Sequence, residues 1–90
     1  MYRSMPILNQ RLTADIGKKS LLHAVLFPKT IYTPKQAREW LKYHNLIYIH
    51  NRDTKNIHRF RIREPIFQWK FYTIVLNDGV ELVYIYPPFK

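Results

Sequence analysis

Five consecutive residues, Arg59-Phe60-Arg61-Ile62-Arg63, alternate a guanidinium group with an apolar side chain. In an extended strand, successive side chains point to opposite faces. The run therefore predicts a row of three guanidinium groups on one face, with Phe60 and Ile62 turned into a core. Like charges along one strand face repel, and an anion from outside relieves that repulsion. The chemistry this implies is phosphate binding.

The segment that pairs with this run decides what accompanies the arginines. Leu46–His50 reads as a strand. If Ile47 and Ile49 join Phe60 and Ile62 in the core, Tyr48 and His50 flank Arg59, Arg61 and Arg63. The opposite register buries Tyr48 and exposes both isoleucines. Burying isoleucine and exposing tyrosine is better by about 1–2 kcal/mol, which favours the first. The resulting face pairs cations with an aromatic ring, suited to phosphates and to a stacked base. Arg38 and Lys42 add a second basic stripe on a helix, although beside Glu39 it also reads as an ordinary solvated face. The arginine row has a structural alternative too. Its stems would pack over Trp69 or Tyr72 and its heads would pair with Glu64 or Glu81. Nothing encodes base identity, so the expected nucleic-acid contact is independent of sequence, with DNA and RNA both open.

Other chemistry finds few candidates. His23, His44, His50 and His58 do not pair at helical spacing, and no carboxylate cluster joins them, so no metal site is expected. Asp15, Glu39, Asp53, Glu64, Asp78 and Glu81 are scattered and offer no acid–base pair. Ser4 and Ser20 lie in arm-like sequence. With two glycines there is no phosphate-cradling loop, and with no cysteine no disulfide or thiolate site. The reading is a non-enzymatic protein without a cofactor.

Formal charge is +9, from 15 Lys+Arg against 6 Asp+Glu, and the basic residues run through the whole chain. So large a charge on 90 residues implies a polyanionic partner more readily than a neutral one. No run approaches the roughly 20 apolar residues of a membrane span. The N-terminus lacks the apolar stretch of a secretory signal, so the protein is expected not to be secreted.

The elements that must position these groups follow from periodicity and turn chemistry. Residues 1–20 read as an N-terminal arm or a short helix, bracketed by Pro6 and Gly17, and residues 21–90 as a single domain. Leu21–Phe27 is apolar apart from His23 and reads as a buried strand ended by Pro28. Thr33-Pro34-Lys35-Gln36 is a capping-box signature. The helix it starts runs to about His44, with Asn45 as a left-handed stop. Ala37, Trp40, Leu41 and His44 share its apolar face. Leu46–His50, Ile57–Arg63, Trp69–Leu76 and Val80–Tyr86 read as four more strands, the last two joined by an Asn77-Asp78-Gly79 turn. The order is β-α-β-β-β-β. This is an α+β domain whose mainly antiparallel sheet of four to five strands carries one amphipathic helix on one face. The other face must meet the arm, a second copy or a protein partner.

From Leu22 onward the chain resembles a small domain of bacteriophage and large-DNA-virus proteins. The resembling pieces are His23–Lys29, Tyr32–His44, Thr54–Arg63 with its Arg-Phe-Arg-Ile-Arg ending, and Phe71–Leu76 before Asp78-Gly79. Taken in order from Leu22 onward, the match spans about three quarters of the chain. In phages, similar segments occur near head-assembly and head-maturation proteins. The resemblance implies a viral origin, with the protein in the host cytoplasm or nucleus or in the virion. It transfers no catalytic residues. It adds a second expectation, a structural or assembly component of a virion that contacts other viral structural proteins.

Overall fold

The computed structural model describes residues 20–88, so the expected arm lies outside the described residues apart from Ser20. Six elements follow in the order β1 (Leu21–Pro28), α1 (Pro34–Tyr43), β2 (His50–Asp53), β3 (Ile57–Arg61), β4 (Lys70–Val75) and β5 (Glu81–Tyr86). The strands form one sheet in the spatial order β2-β3-β1-β5-β4, antiparallel at every pairing. The α+β class and the element order are as expected from the sequence. No helix among the described residues is long and apolar enough to cross a membrane.

β1 is apolar apart from His23 because it is the middle strand and is covered on both faces. Ala24, Val25 and Phe27 are fully buried. The helix starts where its capping chemistry begins. The Gln36 N–H donates to Thr33 Oγ1 at 3.2 Å, and the Thr33 N–H donates to Gln36 Oε1 at 2.9 Å. Each bond satisfies an amide that the helix itself leaves open. His44 caps the other end, and Asn45 takes the left-handed conformation, φ 59°.

Ala37, Trp40 and Leu41 press onto Val25, Phe27, Phe60, Leu82 and Tyr84. Phe27 meets Tyr32, Trp40 and Phe60 edge-on at centroid distances of 5.3, 5.5 and 5.6 Å. Such edge contacts suit the quadrupoles of aromatic rings. Trp40 Nε1–H donates to Asp78 Oδ2 at 3.1 Å, which ties the helix to the β4–β5 turn. Gly79 sits in that turn at φ +90°, where an added Cβ would stand 2.8 Å from Ile31 Cδ1.

Three expected strands are shorter than their sequence signal, and one moves. Leu46–Ile49 is not in the sheet; the chain joins it at His50 and continues through Asp53, residues expected to form a turn. The turn is confined to Thr54–Asn56, where Thr54 Oγ1 accepts the Ile57 N–H at 3.2 Å. β3 stops at Arg61 because the His23 carbonyl takes both the Ile62 and Arg63 N–H groups. The same neighbourhood carries a register shift between Leu22 and Ala24 in β1.

The face opposite the helix is also occluded at its centre. Ala24 and Ile85 are fully buried there, and Val83 nearly so, without a second copy. The expectation that residues 1–20 cover this face falls outside the described residues. What stays exposed on it are two margins: a basic one on β2–β3 and an apolar one on β4, with Phe71 and Val75.

Replacing Thr33 by Ala removes one half of the capping box. It should cost about 1 kcal/mol, or roughly 4–8 °C in melting temperature for a domain of this size. Thr33→Ser should retain most of that stability, because the accepting hydroxyl remains. Equal melting points for all three proteins would show that the helix start does not depend on this cap.

Candidate nucleic-acid interface

β3 turns His58 and Phe60 towards the helix and Ile57, Arg59 and Arg61 to the opposite face. β2 then aligns Arg52 with Arg59, and His50 with Arg61. Neighbouring strands lie about 4.8 Å apart, so the stems of Arg52 and Arg59 stand side by side. Like charges in directly opposed positions destabilise a sheet. Neither arginine has an ion-pair partner among the described residues. Along the same row the next acid is Glu81, two strands from Arg59 and about 10 Å away.

The underside of this edge is held by a polar network. Asp53 Oδ2 lies 3.1 Å from His58 Nδ1 and 3.8 Å from Lys29 Nζ. Asn51 Nδ2 donates to Asp53 Oδ1 at 3.3 Å and to the Arg59 carbonyl at 3.0 Å. His58 Nε2 is 3.0 Å from the Tyr32 carbonyl. Burial raises the Asp53 pKa, but the bonds from His58 and Asn51 and the charges of His58 and Lys29 outweigh it and hold the carboxyl below its usual range. Asn51 and Asp53 are thus engaged on the helix side, and Arg52 between them is left outward.

The expected arginine row is only partly as the alternation implied. Arg59 and Arg61 share the face, but Arg63 lies beyond the end of β3, exposed, with its backbone bonded to His23. Arg61 is committed internally. Its Nη1 donates to Glu64 Oε1 at 3.1 Å, and its side chain is 28% exposed. That pair is the structural alternative expected for this row, realised at one of its three positions. His50 is exposed beside Arg61, as expected. Arg52 is the residue that sequence reasoning missed. The alternation of His50 and Arg52 would have revealed it, had Asn51–Asp53 not been assigned to a turn.

Tyr48 corrects the preferred register. It does not flank the arginines; its ring meets Phe60 edge-on at 4.8 Å. Ile47 and Ile49 are instead exposed, 82% and 54%. The reason is local. The Ile49 N–H donates to the Arg61 carbonyl at 2.8 Å although His50 is the residue aligned with Arg61. Two residues therefore meet one, and alternation slips by a residue before β2. Arg38 and Lys42 are exposed on α1 and line a groove with Tyr48, on the helix side of the sheet. The seven expected residues thus divide between two faces and a strand end.

His23 lies behind the arginine margin. Its Nδ1 is 2.7 Å from the Arg63 carbonyl, and its ring meets Phe71 edge-on at 5.4 Å. Burial lowers its pKa; the Arg63 bond and Glu64 oppose the shift, and the charges of Arg59 and Arg61 add to it. Among the described residues no group of His and acidic side chains could hold a metal ion.

A histidine held neutral makes stability depend on pH with a definite sign. The unfolded chain takes up the proton first as pH falls below the ordinary histidine value of about 6.5. Stability is full above that value and is lost as pH falls through the lower, folded pKa of His23. His44, lowered by burial against the opposing charge of Asp78, acts in the same direction. Denaturant melts at about pH 8 and about pH 5 should show the loss, and His23→Gln should remove part of it. An unchanged slope in that variant would exclude His23 as a source. No known protein family, curated protein or solved structure matches the chain.

Proposed function

We propose that this protein is a non-enzymatic module that binds nucleic acid through its phosphates, without reading base sequence. The observation that carries the proposal is Arg52 set directly opposite Arg59, with no acid paired to either among the described residues. A phosphate between two such groups turns a repulsive pair into two charge-assisted contacts. His50 and the exposed Arg63 extend the margin, and the +9 charge favours approach of a polyanion from any direction. The loss of Tyr48 from this face leaves phosphate contact as its chemistry, without a stacking ring.

A second reading is a structural or assembly role in a virion. Its support is the apolar material left exposed near β4: Phe67 at 87%, Val75 at 67% and Phe71 at 52%.

Anisotropy titrations with unrelated DNA and RNA oligonucleotides across a salt series test the first reading. Arg52→Ala and Arg59→Ala should each lower the salt slope by about one, whatever the sequence bound. Glu64→Gln, which releases Arg61, should tighten binding by a few-fold at most, in keeping with the roughly 0–1 kcal/mol of an exposed ion pair. A slope unchanged in the doubly substituted protein would reject the phosphate reading.

A further inference from the structure

On the helix side of the sheet, Arg38, Leu41, Lys42, Asn45, Leu46, Ile47 and Tyr48 line an open groove of about 450 Å³. We infer that this groove docks a short, extended, acidic and apolar segment of a partner protein. The site is separate from the arginine margin, and the inference does not depend on nucleic-acid binding.

Three independent features converge on it. The first is apolar exposure where the fold has no use for it. Ile47 is 82% exposed beside the groove floor, with Tyr43 at 58% and Ile49 at 54% nearby. The second is open backbone. Leu46 bonds back to Leu41, and Ile49 bonds to Arg61, but Ile47 and Tyr48 exchange no backbone hydrogen bond with the described residues. Unpaired amides and carbonyls beside apolar side chains are what an added extended strand recognises. The third is charge. Arg38 and Lys42 stand at the rim, and no acidic residue lines the groove.

The same charge argues against two other occupants. Another copy of the chain arrives with a net charge of +9. The chain's own residues 1–19 carry Arg3, Arg11, Lys18 and Lys19 against Asp15 alone. Both have the wrong sign for this rim. The volume suits a few side chains, at the lower end of the roughly 300–1,000 Å³ of ligand pockets, so the occupant is a short segment and not a whole domain.

The test is fluorescence anisotropy with a short labelled peptide of alternating leucine and glutamate, beside a counterpart carrying lysine for glutamate. The acidic peptide should bind and its lysine counterpart should not. Ile47→Ser should weaken binding by about tenfold, and its exposure makes it harmless to the fold. Replacing both Arg38 and Lys42 by Glu should reverse the preference between the two peptides. Arg52→Ala should leave peptide binding unchanged, which separates this site from the arginine margin. Equal binding of both peptides, or indifference to Ile47→Ser, would overturn the inference. So would displacement of the acidic peptide by an oligonucleotide when Arg52 and Arg59 are both replaced by Ala. Self-association by sedimentation that disappears in Ile47→Ser would assign the groove to a second copy instead, and would overturn it as well.

Discussion

The burial of Phe60 fixes the parity of β3, and much of the rest of the molecule follows from that parity. Phe60 lies between Phe27 and Tyr48, fully buried and edge-on to both. A slip of one residue would drive Arg59 and Arg61 into the helix-side core. An unpaired charge buried there costs several kcal/mol, and losing a buried phenylalanine adds a few more. The two costs have the same sign, so this register has no close competitor. The outward arginines follow from an inward ring.

β1 transmits that choice across the sheet. It pairs with β3 on one side and β5 on the other, so one alternation sets both halves. Val25 faces Phe60 and Leu82 beneath the helix, while Ala24 faces Arg61 and Val83 on the opposite side. The arginine margin and the apolar margin of β4 are thus two edges of one surface, separated by a covered centre. Charge and apolar area are kept apart because the strands carrying them lie at opposite ends of the sheet order.

The helix-side groove and the arginine margin meet at one irregular place. Where Ile49 and His50 both oppose Arg61, the chain trades a regular strand for a kink. The kink sends Tyr48 onto Phe60 and leaves the isoleucines outside. A sequence with the alternation Ile47-Tyr48-Ile49 has every local reason to be a strand. That it is not one, and that two isoleucines stay in water as a result, is the clearest conflict between local preference and fold in this chain.

The helix, its capping box at Thr33, its stop at Asn45, the buried strand Leu21–Phe27 and the order of elements were all legible in the linear sequence. Each depends on neighbours within a few residues or on a period that a single element imposes. The outward placement of Arg59 and Arg61 was legible for the same reason. The cross-strand partner of each arginine was not, because register is settled by contacts between residues distant along the chain. Only the fold could set Arg52 against Arg59, give Arg61 to Glu64, detach Arg63 through the His23 carbonyl and move Tyr48 to the far side. Period two says which side chains share a face; pairing in three dimensions says which of them meet.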